Sequence, residues 1–254
     1  MAEINVMETV PPTAPPLLPL QVDSVLLGLG PPEPTDIIWP PTADDLPTED
    51  GVPMETNYHL LQMFLLIETA KLHFAGQRVF VGGNMFVYFD VAQTKGRYFR
   101  GPDFLMASGV EPHPRKSWVN WEEGKGPDLI VELISTSTAD FDKGEKKYIY
   151  QNQLRVPEYY CFNPLTGELA GFALEKGVYQ PLAPDAHGRL LSPQFNLALT
   201  TWQGEYMQAE WRWLRWETPE GALLPTTGEH GSLRAAQLAA KLRELGVDPD
   251  ALGQ

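Results

Sequence analysis

The chain has 254 residues, 43% of them hydrophobic, which is enough apolar material for one large domain with appendages. Its formal net charge of −14 argues against a protein that coats nucleic acid, because phosphate binding draws on clustered Lys and Arg, but not against an enzyme with a local basic rim. The single cysteine, Cys161, excludes an internal disulfide and suits a reducing compartment.

Residues 1–50 form a proline-rich N-terminal segment with acidic clusters. Proline removes backbone donors and disfavours helices and central strands, so we expect an irregular arm along the domain surface or a disordered tail. The segment lacks the basic start and continuous apolar core of a signal peptide. The most apolar helical stretch, LLQMFLLIETA, is too short to span a bilayer. We therefore expect a cytoplasmic protein that has no membrane partner.

The first strong elements are a helix and four strands. Thr56 or Asn57 can cap a helix that begins near Tyr58, and Gly76 can end it. Runs rich in valine and aromatic residues then predict strands. These are RVFVGG, NMFVYFD, PDFLMAS and, after a loop with two tryptophans, PDLIVELIS.

A second helix and three more strands follow. Ser137, Thr138 or Asp140 can cap a helix in the proline-free segment that begins there. RVPEYYCFNP predicts a strand in which Cys161 is a buried structural residue. ELAGFALE and VYQPLA flank a Lys-Gly turn and predict a hairpin. The predicted order is helix, three strands, a fourth strand, helix, strand and hairpin.

Residues 201–254 differ in character from the preceding domain. EYMQAEWRWLRWE is rich in aromatic residues, and SLRAAQLAAKLRELG has the apolar spacing of an amphipathic helix. We expect this C-terminal helix to serve packing or self-association.

Acidic residues interrupt two of the apolar strands. Asp128 and Glu132 share one strand face but lie about 13 Å apart at the usual rise per residue, so they cannot chelate one ion together. Asp103 follows Pro102 in the same pattern on another strand. If the two strands are neighbours, Asp103 and Glu132 form an oxygen site of the kind that magnesium prefers. Such an ion can activate water for attack on a phosphodiester.

The following helix supplies a cation. Asp142, Lys146 and Tyr150 recur every four residues and share one helical face, so Lys146 can reach Glu132 and the metal. There a lysine can position water and offset charge that develops on a phosphate. Lys143 and Lys147 flank this face, and we expect both to be solvated.

These ordered segments resemble a bacterial family of restriction-endonuclease-like proteins, long catalogued as a domain of unknown function and expanded in photosynthetic bacteria. The similar segments are GNMFVYFD, GPDFLMASGV, WEEGKGPDLIVELISTST, DKGEKKYIYQN, VPEYYCFNP and the tail from RWLRWETPEG to AAKLRELGVDPD. The resemblance runs from about Met54 to the C-terminus. It implies the PD-(D/E)XK nuclease fold, an α+β or α/β architecture with an αβββαβ core and a mixed central sheet flanked by helices. Residues 51–200 would form this domain, with the hairpin and the C-terminal helix added.

The resemblance also implies a metal-dependent endonuclease that hydrolyses phosphodiester bonds in DNA, with RNA as the other substrate to test. It makes Asp103 and Glu132 the catalytic acids and metal ligands, with the Leu133 carbonyl as a further ligand. The cofactor would be Mg²⁺, with Mn²⁺ as a substitute. In the general pattern a lysine stands two residues after the second acid. Ile134 occupies that position here, and Lys146 is its replacement.

Three further residues are candidates for supporting roles. A histidine at the position of His59 is a feature of the resembling family, although a surface or capping role is equally consistent with the sequence. Asp128 suits a structural role at the entrance of its strand. Tyr150 suits packing against the sheet. Nucleases that cut both strands often pair two sites, so we also expect a homodimer.

A catalytically inactive nuclease fold that acts as a binding or assembly module is the alternative hypothesis. It would use the aromatic region near 202–216 and the C-terminal helix. The acidic charge and the missing strand lysine favour this alternative, whereas the convergence of Asp103, Glu132 and Lys146 favours the enzyme. Metal binding at the two acids would distinguish them.

Overall fold

The computed structural model describes residues 40–46, 56–91, 99–134 and 142–249, with the side chains of residues 142 and 143 excepted. The chain divides into two units, Met1–Pro40 and Pro41–Gln254, and the elements below belong to the second. Most of the predicted N-terminal arm, and the helix caps predicted at Ser137, Thr138 and Asp140, lie outside the described residues. Within those ranges no helix is long and apolar enough to cross a membrane.

The described elements comprise helices α1–α4 and strands β1–β12, numbered in chain order. The helices are α1 (Asn57–His73), α2 (Asn120–Glu123), α3 (π-helical over Asp142–Lys146, α-helical over Lys147–Ile149 and π-helical over Tyr150–Leu154) and α4 (Thr227–Glu244). The strands are β1 (Val79–Gly82), β2 (Val87–Tyr88), β3 (Phe99–Arg100), β4 (Phe104–Ser108), β5 (Trp118–Val119), β6 (Leu129–Leu133), β7 (Glu158–Phe162), β8 (Leu169–Glu175), β9 (Val178–Pro181), β10 (Leu190–Ser192), β11 (Leu197–Tyr206) and β12 (Ala209–Glu217).

A mixed sheet lies at the centre of the fold. In the described part of the chain its six strands follow the order β1-β4-β6-β7-β8-β9. β6 and β7 are parallel, and every other neighbouring pair is antiparallel. Parallel neighbours need a crossover connection, and α3 provides it. In chain order, α1, β1, β4, β6, α3 and β7 form an αβββαβ core, which confirms the prediction. The pairing of β8 with β9 confirms the predicted hairpin.

Two apolar layers cover the faces of this sheet. Leu129, Val131 and Leu133 of β6 belong to a core shared with α1 and with strands β10–β12. Ile130 and Ile134 belong to a second core, on the side of α3. Because side chains alternate along a strand, Glu132 projects to the α3 side. The alternation of β6 therefore directs this acid towards the one helix that carries Lys146.

NMFVYFD was predicted as a strand, and the structure assigns it to a different sheet from RVFVGG. It supplies β2, which pairs with β3 and β5 in a separate small sheet. Phe86 and Tyr88 pack there in a cluster with Leu46 and Val119. The small apolar cluster, rather than the central sheet, thus buries the aromatic residues of this segment.

The aromatic region forms a long hairpin rather than an exposed surface. β11 and β12 pair over their whole length around a turn at Met207 and Gln208, whose φ angles of 47° and 63° are those of a tight hairpin turn. Trp213 and Trp216 are fully buried. β11 also crosses the boundary placed at residue 200, so the hairpin continues the domain fold.

α4 confirms the predicted C-terminal helix and begins at a capping box. The Thr226 side chain accepts from Glu229 N, and Glu229 Oε2 accepts from Thr226 N. Arg215 of β12 donates to both oxygens of Glu229 and ties this end of the helix to the hairpin. None of the residues of α4 is buried in the described part of the chain, so its predicted packing role is not seen there.

Strands β10, β11 and β12 form a third sheet, in that order. One buried glutamine joins α1 to its edge strand, β12. The Gln62 side chain accepts from Leu214 N at 2.7 Å and donates to Leu214 O at 2.9 Å. β12 is an edge strand of its sheet, so without this contact the two backbone groups of Leu214 would be buried and unpaired. The amide of Gln62 takes the place of a neighbouring strand.

Gln62→Leu is therefore expected to lower the free energy of unfolding by about 2–4 kcal/mol, because a buried donor and a buried acceptor each lose their partner. Gln237→Leu makes the same change on an exposed turn of α4 and is the matched control. Urea unfolding of both variants measures the difference. Equal stabilities of the two variants would contradict the joining role of Gln62.

Candidate active site

Pairing of β4 with β6 brings the two predicted acids to one end of the central sheet. The antiparallel register sets Phe104 opposite Val131. Extension of this register by one residue sets Asp103 opposite Glu132. Directly opposite residues project to the same face of the sheet. Leu133 N donates to Asp103 Oδ2 at 2.7 Å and joins the two strand ends. The two strands are neighbours, as the sequence predicted.

The loop after β1 holds Asp103 in place from the other side. Asn84 N donates to the Pro102 carbonyl at 3.1 Å. Gly83 lies so close that a Cβ there would come within 2.1 Å of the Asp103 carbonyl oxygen. Only glycine permits this approach of two backbones. Gly83 and Asn84 together thus position the first acid.

Glu132 is fully buried, with 0% of its side chain exposed, and accepts hydrogen bonds from two residues of α3. Lys146 Nζ donates to Oε2 at 2.9 Å, and the Tyr150 hydroxyl donates to Oε1 at 2.6 Å. A buried carboxylate is costly unless it is paired and hydrogen-bonded, and α3 supplies both kinds of partner. The predicted four-residue spacing of Lys146 and Tyr150 therefore meets Glu132 from one helical face.

Tyr150 serves both packing and polar contact. Its ring is fully buried and lies 5.2 Å, centroid to centroid, from that of Tyr159. Burial and the neighbouring Glu132 raise the pKa of the Tyr150 hydroxyl well above its ordinary value, so the hydroxyl stays protonated and donates. Its hydrogen bond fixes the orientation of the Glu132 carboxylate.

His59 contacts the first acid from the start of α1. Its Nε2 lies 2.7 Å from Asp103 Oδ1, and both side chains are largely buried. Its backbone N–H donates to the side chain of Thr56, the N-cap predicted from the sequence. The cap of α1 thus orients His59 towards Asp103, so that the ring does not lie free on the surface.

The chemistry of these donors fits magnesium better than zinc. No group of three or more His, Cys, Asp or Glu side chains that could hold a metal ion is found within the described ranges. Structural and catalytic zinc takes three or four protein ligands, whereas magnesium commonly binds one or two carboxylates and keeps several waters. Each carboxylate oxygen of Asp103 and Glu132 accepts a protein hydrogen bond, and carboxylate oxygens are ligands of the kind that magnesium prefers. Leu133, whose carbonyl is the further candidate ligand, ends β6 beside them.

Arg100 is a site residue that the sequence reasoning missed. It stands three residues before Asp103, and its Nη2 donates to Glu145 Oε1 at 3.0 Å. Its positive charge lowers the pKa of Tyr150, against the larger effect of burial. The segment Arg-Gly-Pro-Asp was visible in the sequence, but only the ion pair with Glu145 shows that its arginine contacts the helix that carries Lys146.

Asp128 lies outside this constellation. Its Oδ2 accepts from Ser108 N at 2.7 Å and from Lys125 Nζ at 2.5 Å, at the opposite end of β6 from Glu132. These contacts attach the entrance of β6 to the end of β4, the structural use that its position suggested.

Lys147 differs from its predicted solvated state. Its Nζ lies 3.4 Å from the centroid of the Phe172 ring, a cation–π contact. Burial lowers the pKa of Lys147. The side chain of Lys143 lies outside the described residues. Of the three lysines in this segment, Lys146 is the one that the described structure connects to an acid of the site.

Comparisons with known proteins place the chain in a family. The family model described as "Uma2: Putative restriction endonuclease" matches residues 50–201. The comparison with curated proteins finds no match. Among solved structures, the chain is similar to one described as a "putative nuclease belonging to DUF820" from Anabaena variabilis ATCC 29413, at 13% identity and a TM-score of 0.42, over 61% of this chain and 91% of that one. Because the family model matches more than half of the residues, the chain belongs to the Uma2 family of restriction-endonuclease-like proteins.

Proposed function

We propose that this protein is a metal-dependent endonuclease that hydrolyses phosphodiester bonds, with DNA as the favoured substrate. One observation supports the proposal above all. Asp103 and Glu132 face each other at one end of two paired strands, and Lys146 reaches the same point from α3. Acids and a cation in this arrangement suit hydrolysis of a phosphate ester.

Asp103, Glu132 and the Leu133 carbonyl are the residues that would hold magnesium. When bound, the ion supplies a Lewis acid and lowers the pKa of a coordinated water. His59 and Leu133 N fix the orientation of the Asp103 carboxylate, and Tyr150 fixes that of Glu132. Pre-oriented groups reduce the cost of arranging the reactants at the moment of reaction.

Lys146 would act at the border between the buried acids and solvent. Its side chain keeps 18% exposure while its ammonium contacts the wholly buried Glu132. From there the ammonium can orient the attacking water and offset the negative charge that develops on the phosphate. We propose a homodimer in addition, because two copies of this single site are needed to cut both strands of a duplex together.

The purified protein is expected to convert supercoiled plasmid to nicked or linear forms when Mg²⁺ or Mn²⁺ is present, and to leave it intact in EDTA. The physical reason is that the two carboxylates supply no nucleophile without an ion. Gel electrophoresis measures the conversion, with single-stranded RNA as a parallel substrate. A cleavage rate that is the same in EDTA would contradict the metal-dependent mechanism.

An inactive nuclease fold is the second candidate, and one observation favours it. All four carboxylate oxygens of Asp103 and Glu132 already accept protein hydrogen bonds, so the pair is satisfied without an ion. In that case Glu132 and Lys146 form a structural buried ion pair. Magnesium would then neither stabilise the protein nor support cleavage.

A further inference from the structure

Arg100 has more hydrogen-bonding capacity than the described residues use. Its Nη1 donates to the Phe99 carbonyl at 2.7 Å, and its Nη2 donates to Glu145. Its Nε is buried and has no hydrogen-bond partner within the part of the chain that the structure describes. A guanidinium carries five N–H donors in a planar fork, and leaving a buried donor unpaired is unfavourable. The side chain is only 17% exposed, so water has limited access to satisfy it.

Glu145, the ion-pair partner of Arg100, is much more exposed to solvent than the arginine. The Glu145 side chain is 57% exposed, and exposed ion pairs of this kind contribute little to stability. Glu145 immediately precedes Lys146, and Arg100 stands three residues before Asp103. The Arg100–Glu145 pair therefore bridges the segment that carries the first acid and the helix that carries the lysine.

We propose that Arg100 binds a phosphate of the nucleic-acid substrate and that the Glu145 carboxylate occupies the position of this phosphate in the free protein. A phosphate matches the arginine fork with more acceptor oxygens than one carboxylate oxygen provides. Glu145, with most of its surface in solvent, can turn away when the phosphate enters. The identity of the ligand as nucleic acid rests on the function proposed above.

This exchange explains how a chain with a net charge of −14 admits a polyanion to its site. In the free protein the arginine is neutralised locally by Glu145. Displacement of Glu145 by a substrate phosphate restores a cation close to Lys146 without any change in total charge. Removal of the competing carboxylate should therefore strengthen binding, and removal of the guanidinium should weaken it.

Binding is best measured by the fluorescence anisotropy of a short fluorescein-labelled DNA duplex in EDTA, where no metal-dependent cleavage can occur. Arg100→Ala is expected to weaken binding by roughly tenfold or more and to reduce the slope of log K against log salt by about one. Arg100→Lys should recover part of the affinity, because it restores the charge without the fork. Glu145→Gln should tighten binding several-fold.

The pair Arg78 and Glu111 provides matched controls. It is an exposed ion pair beyond the opposite end of β4. Glu111→Gln removes the same charge as Glu145→Gln, and Arg78→Ala the same charge as Arg100→Ala, so both should shift affinity only slightly. Melting temperatures of all variants check the fold. If Arg100→Ala fails to fold, Arg100→Lys and Glu145→Gln decide the outcome.

The proposal is overturned if wild type shows no salt-dependent binding, if Arg100→Lys binds like wild type, or if Glu145→Gln is no tighter than Glu111→Gln. The binding assay is independent of chemistry. Arg100-dependent binding by a protein that cleaves nothing would contradict the proposed nuclease activity but uphold the phosphate contact. Metal-dependent cleavage by wild type, together with unchanged binding in the Arg100 and Glu145 variants, would uphold the nuclease activity but contradict the phosphate contact.

Discussion

Replacement of Lys146 by alanine is expected to reduce metal-dependent cleavage by about 10²–10³-fold, the usual loss when one group that stabilises transition-state charge is removed. Magnesium binding should remain largely intact, because an ammonium is not a metal ligand. Lys146→Arg should rescue poorly, since a forked guanidinium does not replace a compact ammonium at 2.9 Å from Glu132. Initial rates of plasmid cleavage measure both effects.

The neighbouring lysines are the controls for this result. Lys147→Ala removes the contact with Phe172 and should lower stability slightly while leaving cleavage within a small factor of wild type. Lys143→Ala should change the rate by a small, salt-dependent factor. Equal losses at all three positions would instead indicate a general electrostatic rim around the site.

Loss of activity must also be separated from loss of fold. Lys146→Ala removes the cation that pairs with the buried Glu132 carboxylate, and breaking a buried ion pair costs about 3–5 kcal/mol before allowance for the partial exposure of the lysine. Rates should therefore be compared well below each melting temperature. If wild type cuts no DNA or RNA with any metal, and Lys146→Ala only destabilises the protein, the inactive-fold hypothesis is correct.

Asp103→Asn or Glu132→Gln is expected to abolish the rise in melting temperature that magnesium produces in wild type. An ion that binds the native state alone stabilises it by RT ln(1 + [L]/Kd), about 2.7 kcal/mol at a hundredfold excess over Kd. Each substitution keeps the side-chain shape but removes the charge that attracts the ion. Differential scanning calorimetry across a magnesium titration measures the shift, and cleavage should be lost in parallel.

Asp128→Asn is the matched control for the metal experiment. It removes the same charge from the same strand, but at the end of β6 that contacts Ser108 and Lys125. Its melting temperature should be lower than that of wild type without metal and should still rise fully with magnesium. A full rise in the Asp103 and Glu132 variants would place the ion elsewhere.

The sequence predicted the centre of the fold and the convergence of Asp103, Glu132 and Lys146 because local patterns determine them. The two Pro-Asp-apolar segments are both buried strands, and antiparallel pairing of such strands sets their acids opposite each other. The four-residue spacing of Lys146 and Tyr150 fixes a shared helical face, whatever the rest of the fold does. Those features depend on neighbours in the chain or on one strand pairing.

Features that depend on distant contacts were not predictable in the same way. NMFVYFD has the composition of any strand, and only its packing against Leu46 and Val119 assigns it to the small sheet. Gln62 reads as a polar residue on a helix, yet it pairs with a strand 152 residues later. Arg100 and Glu145 are 45 residues apart, and no periodic pattern connects them.

The isoleucine at position 134 also bears on how such a site changes over generations. Ile134 is buried in the α3-side core at the place where the general nuclease pattern has lysine. An evolutionary change that replaces a lysine at position 134 by one at position 146 must pass through an ancestor that has both lysines near the same acids, or neither. Two lysines would repel each other, and the absence of both would leave the buried Glu132 without a cationic partner, so each intermediate is disfavoured and the two arrangements should persist as separate branches. A search by a linear motif that requires the strand lysine would therefore overlook proteins that, like this one, carry the lysine on the helix.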